Sequence, residues 1–532
     1  MNLLKATGTI GGLTLASRVL GLVRDSLFAR VIGASFASDA FLVAFRLPNM
    51  FRALFAEGAF ASAFVPMFNK KAADPAGRGL PDALVFAEAA AAVLLPVLLV
   101  LTVLLELFAW PLTLALSGRF NGISGDQFAY AVSLSRITIP YLALISLVSL
   151  LGGILNSLHK FWVNAAAPIL LNLTLIAAML LFHSPDPLET ARNQAWAVTV
   201  SGLLQLLWLA HACRRSGVSL RPRWPRLSPE VRQLMRLILP AAAGAGMVQV
   251  NLVVSTALAA GLLAHGSVTY IYMADRLNQL PLGLIGIGLG TVLLPTISRQ
   301  LGAGEERAAM ETQNRGLELA LALTLPATLA LVLCGEPITA ALFGYGRFTV
   351  ADTRATAEAL AAFSVGLPSY VLVKVLTPGF YARHDTATPV RYALVAMAVN
   401  LGLNLALIVP LGHMGPPLAT ALSSTVNVAL LYATLVRRGH FTPDARLKDR
   451  LWRLAVAALT MGLVVWACQG RLMPYVHATF AVRSAATRAG RSSTSSSRRA
   501  TTTTPQGTRT CIANISTCRS CSRFCGTSKI CW

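Results

Sequence analysis

Charged residues are scarce in this sequence. Asp, Glu, Lys and Arg make up 13% of the 532 residues, whereas hydrophobic residues make up 55%. A soluble domain carries roughly 25% charged residues to cover its surface, so the composition predicts a polytopic membrane protein. A cleavage site for a signal peptide is also missing. The opening MNLLKATGTIGGLTLAS leads directly into a long apolar segment, which is therefore expected to be the first span.

Signatures of enzymes are absent too. There is no GxxxxGK[ST] loop and no HExxH, and the apolar segments contain no CxxC pair. His159, His211, His265 and His384 lie in loops or at span ends. The sequence therefore predicts a protein that is not an enzyme. Any transport by such a chain would be driven by a gradient or by the membrane potential, and not by ATP hydrolysis within the chain. A membrane-embedded glycosyl- or phosphotransferase is disfavoured, because no acid, base or metal cluster marks a membrane face.

The C-terminal segment lacks acidic residues and hydrophobic periodicity. Residues 480–532 contain nine Lys or Arg, no Asp or Glu, and five of the eight cysteines. A zinc or nucleic-acid module would need a second well-spaced Cys or His pair after CRSCSRFC, and none follows. We interpret 476–532 as a disordered or frameshifted tail, and we expect no nucleic-acid partner.

Thirteen apolar windows are long enough to cross a bilayer, which takes about 20 residues. They lie near 8–33, 38–68, 83–113, 128–156, 162–182, 194–213, 233–263, 267–297, 316–343, 356–382, 388–410, 416–436 and 452–472. Lys and Arg collect in every second loop, which places those loops and the N-terminus in the cytoplasm.

The longest basic loop, 214–232, divides the chain into two halves of six spans. The segment RLPNMFRALFAEGAFASAFVP has an echo in RLNQLPLGLIGIGLGTVLLP, which suggests a repeat. The predicted fold is all-α, with two six-helix lobes (1–213 and 233–440) around a central cavity and a further span in 441–475.

Charges inside the first two spans are the most informative feature. An Arg or Asp in mid-bilayer costs at least about 2.5–3.5 kcal/mol, so such residues usually face the protein interior or a wet cavity. Helical spacing places most of them on polar stripes. Ser17 and Arg24 are seven residues apart, as are Arg18 and Asp25 and also Asp39 and Arg46. Arg46 and Glu57 are eleven residues apart, and Asn49 and Arg52 are three apart.

A purely structural interpretation is that these charges pair internally or reach the headgroups. We prefer it for Arg30, Asp39 and Arg46. Arg18, Arg24 and Arg52 lie too deep for that, and the eighth span adds Asp275 and Arg276. A functional role for Lys374, in the tenth span, has little support, because a lone lysine can extend to the membrane interface. Because guanidinium groups bind phosphate and carboxylate bidentately, the pattern predicts an anionic ligand, either a diphosphate or a carboxylated head group.

Four segments resemble the MurJ/MviN family of bacterial lipid II flippases, in the MOP exporter superfamily. They are MNLLKA, SRVLGLVRD, SDAFLVAFRLPNMFRALFAEGAFASAFVP and YMADRLNQLPLGLIGIGLGTVLLP, and the likeness extends over about 1–475. The resemblance implies an inner-membrane protein that moves lipid II, the undecaprenyl-diphosphate-linked disaccharide-pentapeptide, to the periplasmic leaflet. It implies contact with membrane lipids and with the cell-wall synthesis and division machinery.

The resemblance also implies roles for particular residues. Arg18, Arg24, Arg52 and Arg276 match the family's substrate-binding arginines, and six polar residues match the same motifs with a supporting role: Ser17, Asp25, Asp39, Asn49, Glu57 and Asp275. The chain departs from the family in having no recognisable fourteenth span. Some relatives bind sodium through Asn and Asp on the eleventh span. Here Asn400 and Asn404 stand without the carboxylate, so sodium is a weak candidate and no other cofactor is expected.

The sequence is also compatible with two other functions. One alternative is a MOP-type exporter of polysaccharide-lipids or drugs, although exporters of cationic drugs would want an acidic cavity. Another is a scaffold for envelope synthesis that transports nothing, for which the cavity arginines would be dispensable.

Overall fold

The computed structural model describes residues 3–56, 59–74, 77–221 and 223–469. Within these ranges the chain is almost entirely helical and contains no β-strand. The prediction of an all-α membrane fold is confirmed. Glu57, the tail 476–532 and the region in which a fourteenth span was sought lie outside the described residues.

In the described part of the chain, nine helices precede the basic loop. They are α1 (Leu3–Val31), α2 (Phe36–Ala56), α3 (Ala59–Ala72), α4 (Leu80–Leu107), α5 (Ala109–Ser117), α6 (Gly125–Thr138), α7 (Tyr141–Ser157), α8 (Phe161–Leu181) and α9 (Pro187–Arg215).

The later helices of the described part begin with α10 (Pro229–Leu262) and α11 (Ser267–Gly302). They continue with α12 (Glu306–Leu333), α13 (Gly335–Phe343), α14 (Val350–Val365), α15 (Leu367–Tyr381), α16 (Ala387–Leu411), a 3₁₀ turn (Gly412–Met414), α17 (Gly415–Arg437) and α18 (Ala445–Gln469).

Each predicted span coincides with one helix or with two consecutive helices. The window 38–68 is divided between α2 and α3, and the window 316–343 between α12 and α13. Among the described residues, nine helical segments are long and apolar enough to cross a membrane. Helices α1 and α2 are not among them; α2 carries Asp39, Arg46 and Arg52 within its 21 residues. The count of thirteen crossings stays a prediction.

Helices α1, α10 and α11 connect the halves of the sequence, and α10 packs against α2, α3, α4 and α5. Helix α1 packs along α8 and meets α13 near its end, whereas α11 contacts α2 and α10 as well as α12, α14 and α15. Most other packing stays within one half, such as α7 on α9 and α16 on α17. Side chains that α1 and α11 direct at each other therefore lie between the two halves.

Main-chain contacts join the halves where α1 ends. The amide of Arg347 donates to the Arg30 carbonyl at 3.0 Å, and that of Asn121 donates to the Ala260 carbonyl at 3.1 Å. Gly346 has a φ of +66°, and a Cβ there would overlap the Arg30 carbonyl oxygen. We call this region, formed by 30–39, 118–121, 260–269 and 342–352, the joined end.

Candidate functional site

Arg24 and Asp25 form an ion pair inside the protein. Arg24 is 7% exposed and Asp25 is 3% exposed. The Nε and Nη2 groups of Arg24 donate to Oδ1 of Asp25 at 2.9 and 2.6 Å. A buried charge is costly unless a partner compensates it, and here neighbouring residues on one helix supply the two partners.

Helix α11 completes this pair from the other half of the sequence. Nε of Arg276 donates to Oδ2 of Asp25 at 3.0 Å. Nη2 of Arg24 donates to the Tyr272 hydroxyl at 3.0 Å, and the Arg276 guanidinium lies 5.5 Å from the centre of the Tyr272 ring. One carboxylate thus holds two arginines from different helices.

Helix α8 contributes the remaining partner, Asn172, which is 6% exposed. Its Oδ1 accepts from Nη1 of Arg24 at 3.1 Å, and its Nδ2 donates to the Ser17 carbonyl at 2.9 Å. Ser17 and Arg24 therefore share the face of α1 towards α8, as their spacing predicts. We refer to Ser17, Arg24, Asp25, Asn172, Tyr272 and Arg276 as the Asp25 cluster; its formal charge is +1, from two arginines and one aspartate.

Free donors remain at the edge of this cluster. Arg276 donates through its Nε to Asp25 and also interacts with Tyr272; apart from these two partners, no hydrogen bond engages its Nη groups within the described residues, and its side chain is 35% exposed. Arg18 is exposed and lies against Gly283 of α11, where an added Cβ would overlap its guanidinium. No hydrogen bond or ion pair engages the Arg18 side chain in the described part of the chain. Both guanidinium groups are therefore placed to receive an anion.

The second polar stripe is divided among several partners. Nη2 of Arg46 donates to the Thr256 hydroxyl of α10 at 2.8 Å, which ties α2 to the other half. Nε of Arg52 donates to Oδ1 of Asn49 at 3.2 Å, in agreement with their spacing of three. Asp275 accepts from Nε2 of Gln279 at 2.5 Å on its own helix.

Asp39 serves a different purpose from the arginines. It is 2% exposed. Its carboxylate accepts from the amide of Gly266 at 2.6 Å, and from the amide and hydroxyl of Thr269 at 2.9 and 2.7 Å. These donors lie at the start of α11, where backbone amides lack helical partners and a carboxylate is favourable. Asp39 thus caps α11 across the joined end, which agrees with the purely structural interpretation of this residue.

The structure brings some predicted residues together and separates others. Arg24, Asp25 and Arg276 meet directly, Ser17 joins them through its carbonyl, and Asn49 pairs with Arg52. Asp275 lies near Arg46 and Arg276 and interacts with their charges. The outlying residues are Asp39 at the joined end and Lys374, which is exposed beside Gly286. Sequence reasoning missed Asn172 and Tyr272. The position of Tyr272, one helical turn before Arg276, was a usable signal, whereas nothing distinguished Asn172.

The fold and this site define a class of protein. A multidrug resistance MATE transporter of the MOP superfamily, in an inward-facing conformation, matches with a TM-score of 0.63 at 16% identity, over 81% of this chain and 96% of that one. A lipid II flippase MurJ in an inward closed conformation matches with a TM-score of 0.72 at 24% identity, over 89% of this chain and 97% of that one. The chain shares the fold of these two solved structures.

Sequence comparison narrows the class to a family. The family model of the lipid II flippase MurJ matches residues 28–486. A probable lipid II flippase MurJ from Rhizobium tropici is 41% identical over 469 residues, which cover 87% of each chain. The chain belongs to the lipid II flippase MurJ family. This is a family of transporters and not of enzymes, and the chain is a multi-pass inner-membrane protein.

Proposed function

We propose that this chain moves lipid II from the cytoplasmic to the periplasmic leaflet by alternating access, and that its arginines bind the diphosphate. Membership of the family supports the transport of lipid II. One observation carries the binding site: Asp25 holds arginines of α1 and α11 together between the two halves, while Arg276 and Arg18 keep free donors.

The residues take distinct roles in this proposal. Arg18 and Arg276 contact the diphosphate, because their N–H groups are free and guanidinium forks match phosphate oxygens. Arg24 is engaged with Asp25, Asn172 and Tyr272, so it positions the site. Arg52, held by Asn49, supplies positive charge from α2. Asp39 acts at the joined end, and Asp275 balances charge on α11.

The joined end supports a mechanism with two lobes. We assign 1–213 and 233–440 to six-helix lobes that rock about the cluster, connected by the loop 214–232, with 441–475 as an additional span region. With the N-terminus in the cytoplasm, the joined end faces the periplasm. Its main-chain hydrogen bonds and the Asp39 carboxylate then close the exit while the substrate enters from the cytoplasmic leaflet.

The proposed transport of lipid II also specifies the partners and the energy source of the chain. The substrate is a lipid and the protein is immersed in lipids, and components of the cell-wall synthesis and division machinery are the partners that we expect to supply or consume lipid II. Nucleic acid has no part in this function. A gradient or the membrane potential drives the cycle, and no cofactor is required.

The fold alone also suits a multidrug exporter, because the MATE transporters share it. The charge of the site separates the two functions. The Asp25 cluster carries a formal charge of +1 and Arg18 adds another positive charge, so a cationic drug would be repelled while a diphosphate would be attracted.

Complementation tests the proposal. In cells depleted of their own lipid II flippase, the wild-type chain is expected to restore growth and periplasmic exposure of lipid II. Arg276→Ala and Arg18→Ala are expected to lower that exposure at least about tenfold, because each removes a charged pair of donors worth roughly 1.5–3 kcal/mol.

Arg226→Ala provides the matched control, since Arg226 is an exposed arginine of the connecting loop. It should transport like the wild type. Equal protein levels in membranes are verified by immunoblot. Normal exposure of lipid II with both cavity variants would contradict the binding site and favour a scaffold.

A further inference from the structure

A second polar cluster lies away from the arginines, where α10, α16 and α17 meet. Asn400 and Asn404 of α16 are each 1% exposed. Ser255 of α10 and Thr420 and Ser423 of α17 surround them. We call these five residues the asparagine cluster. The site of lipid binding proposed above does not include it.

The Asn404 amide occupies the centre of this cluster. Its Nδ2 donates to Oδ1 of Asn400 at 2.7 Å, to the Asn400 carbonyl at 3.0 Å and to the Ser255 hydroxyl at 3.2 Å. Nδ2 of Asn400 is directed at the hydroxyls of Thr420 and Ser423, both at 3.3 Å. The amide orientation follows from these partners, because a reversed Asn404 would place its oxygen against two acceptors of Asn400.

This donor set does not fit a bound sodium ion, which the family resemblance made a candidate. Helices α16 and α17 contain no Asp or Glu, and α10 has none after Glu230. A cation here would be buried among neutral oxygens without a counter-charge, which is strongly unfavourable. The –NH2 group of Asn404 directs its two N–H donors at the three oxygens that would otherwise face the ion. Its own Oδ1 is buried without a hydrogen-bond partner among the described residues.

We infer that the asparagine cluster is a cation-independent joint between α16 and its neighbours, in which the Asn404 amide takes the place of a metal ion. The geometry has a consequence for substitution. A carboxylate at position 404 would turn the donor into a fourth oxygen with a negative charge, beside Oδ1 and the carbonyl of Asn400 and the hydroxyl of Ser255. Asn404→Asp therefore creates a site for a small hard cation, which prefers oxygen ligands.

Thermal unfolding of the purified full chain tests this inference. The wild type is compared in NaCl, LiCl, KCl and choline chloride at equal ionic strength and pH 8. Its Tm is expected to be the same in sodium and in choline. Asn404→Asp is expected to unfold at a lower temperature in choline and to gain at least about 2 °C in sodium, because a ligand that binds only the folded state raises Tm.

Two variants control for simple damage to the core. Asn404→Leu keeps the size but cannot bind an ion, so its loss of stability should be equal in all four salts. Ser255→Ala in the Asn404→Asp background removes one ligand and should weaken the sodium response.

Either of two results overturns the inference. One is a sodium-specific rise in the Tm of the wild type, or saturable binding of radioactive sodium to it. The other is a folded Asn404→Asp variant whose Tm ignores the cation. The wild-type measurements decide the question even if the variant fails to fold.

Discussion

Replacing Asp25 tests the centre of the arginine site most directly. The carboxylate is 3% exposed and accepts charge-assisted hydrogen bonds from Arg24 at 2.9 and 2.6 Å and from Arg276 at 3.0 Å. Asp25→Asn keeps the size and removes the charge, so that the cluster changes from +1 to +2. The new –NH2 group must also face the N–H donors of a guanidinium, and neither of these two groups can accept a hydrogen bond from the other.

The size of the effect follows from burial. Removing one partner of a buried ion pair costs about 3–5 kcal/mol. The side chain of Arg276 is 35% exposed, however, so solvent screens part of its interaction. We therefore expect the free energy of unfolding to fall by about 2–3 kcal/mol, close to the value of one or two hydrogen bonds to charged groups.

Unfolding in detergent micelles measures this loss, and a double-mutant cycle apportions it. Cycles of Asp25→Asn with Arg24→Gln and with Arg276→Gln are each expected to give a coupling energy of about 0.5–3 kcal/mol, with the larger value for the more buried Arg24. Lipid II exposure should fall as well, because the Arg276 fork loses the group that orients it.

Asp449→Asn is the control for removing an acidic charge. Asp449 pairs with Arg453 on the surface, with side chains 50% and 64% exposed, so its replacement should change stability by less than about 1 kcal/mol. A coupling energy near zero between Asp25 and Arg276, together with normal lipid II exposure in Asp25→Asn, would refute the cluster as the organiser of the site.

Two further predictions concern the joined end and the connecting loop. Gly346→Ala should lower Tm well beyond Gly439→Ala, because both have a positive φ but a Cβ at Gly346 would also overlap a carbonyl, whereas Gly439 has open space; equal losses would contradict the close contact. Glu88→Gln should speed tryptic cleavage of the connecting loop several-fold, because the buried Glu88 carboxylate accepts from Nε of Arg223 at 2.5 Å. Glu230→Gln, which changes a half-exposed carboxylate, should cleave at the wild-type rate; unchanged cleavage in Glu88→Gln would mean that this carboxylate does not hold the loop.

Much of the fold follows from hydropathy and length. These two properties placed a helix or helix pair in every predicted window, because a bilayer admits few other arrangements of an apolar chain. The charges of α1 and α2 stood out for the same reason, since each is expensive in a membrane unless it has a purpose. Spacing along one helix also predicted that Asn49 and Arg52 are neighbours, and that Ser17 and Arg24 share a face.

The partners of these side chains could not be predicted. Periodicity says which residues share a face of their own helix, but not which helix lies opposite. Asp39 belonged to a polar stripe by spacing, yet it caps the start of α11, which is 227 residues away along the chain. The sequence around Asn172 did not indicate its role, because a single Asn in an apolar helix can bind many different partners.

The sequence by itself determined an all-helical membrane transporter fold, its family, and the arginines worth examining. Only the tertiary structure decided which arginine is held and which is free. Arg24 meets an aspartate, an asparagine and a tyrosine, while Arg18 meets the backbone of a glycine. That difference arises from the packing of α1 against α8 and α11, because hydrogen bonds depend on the distance and direction of groups that are far apart in the chain.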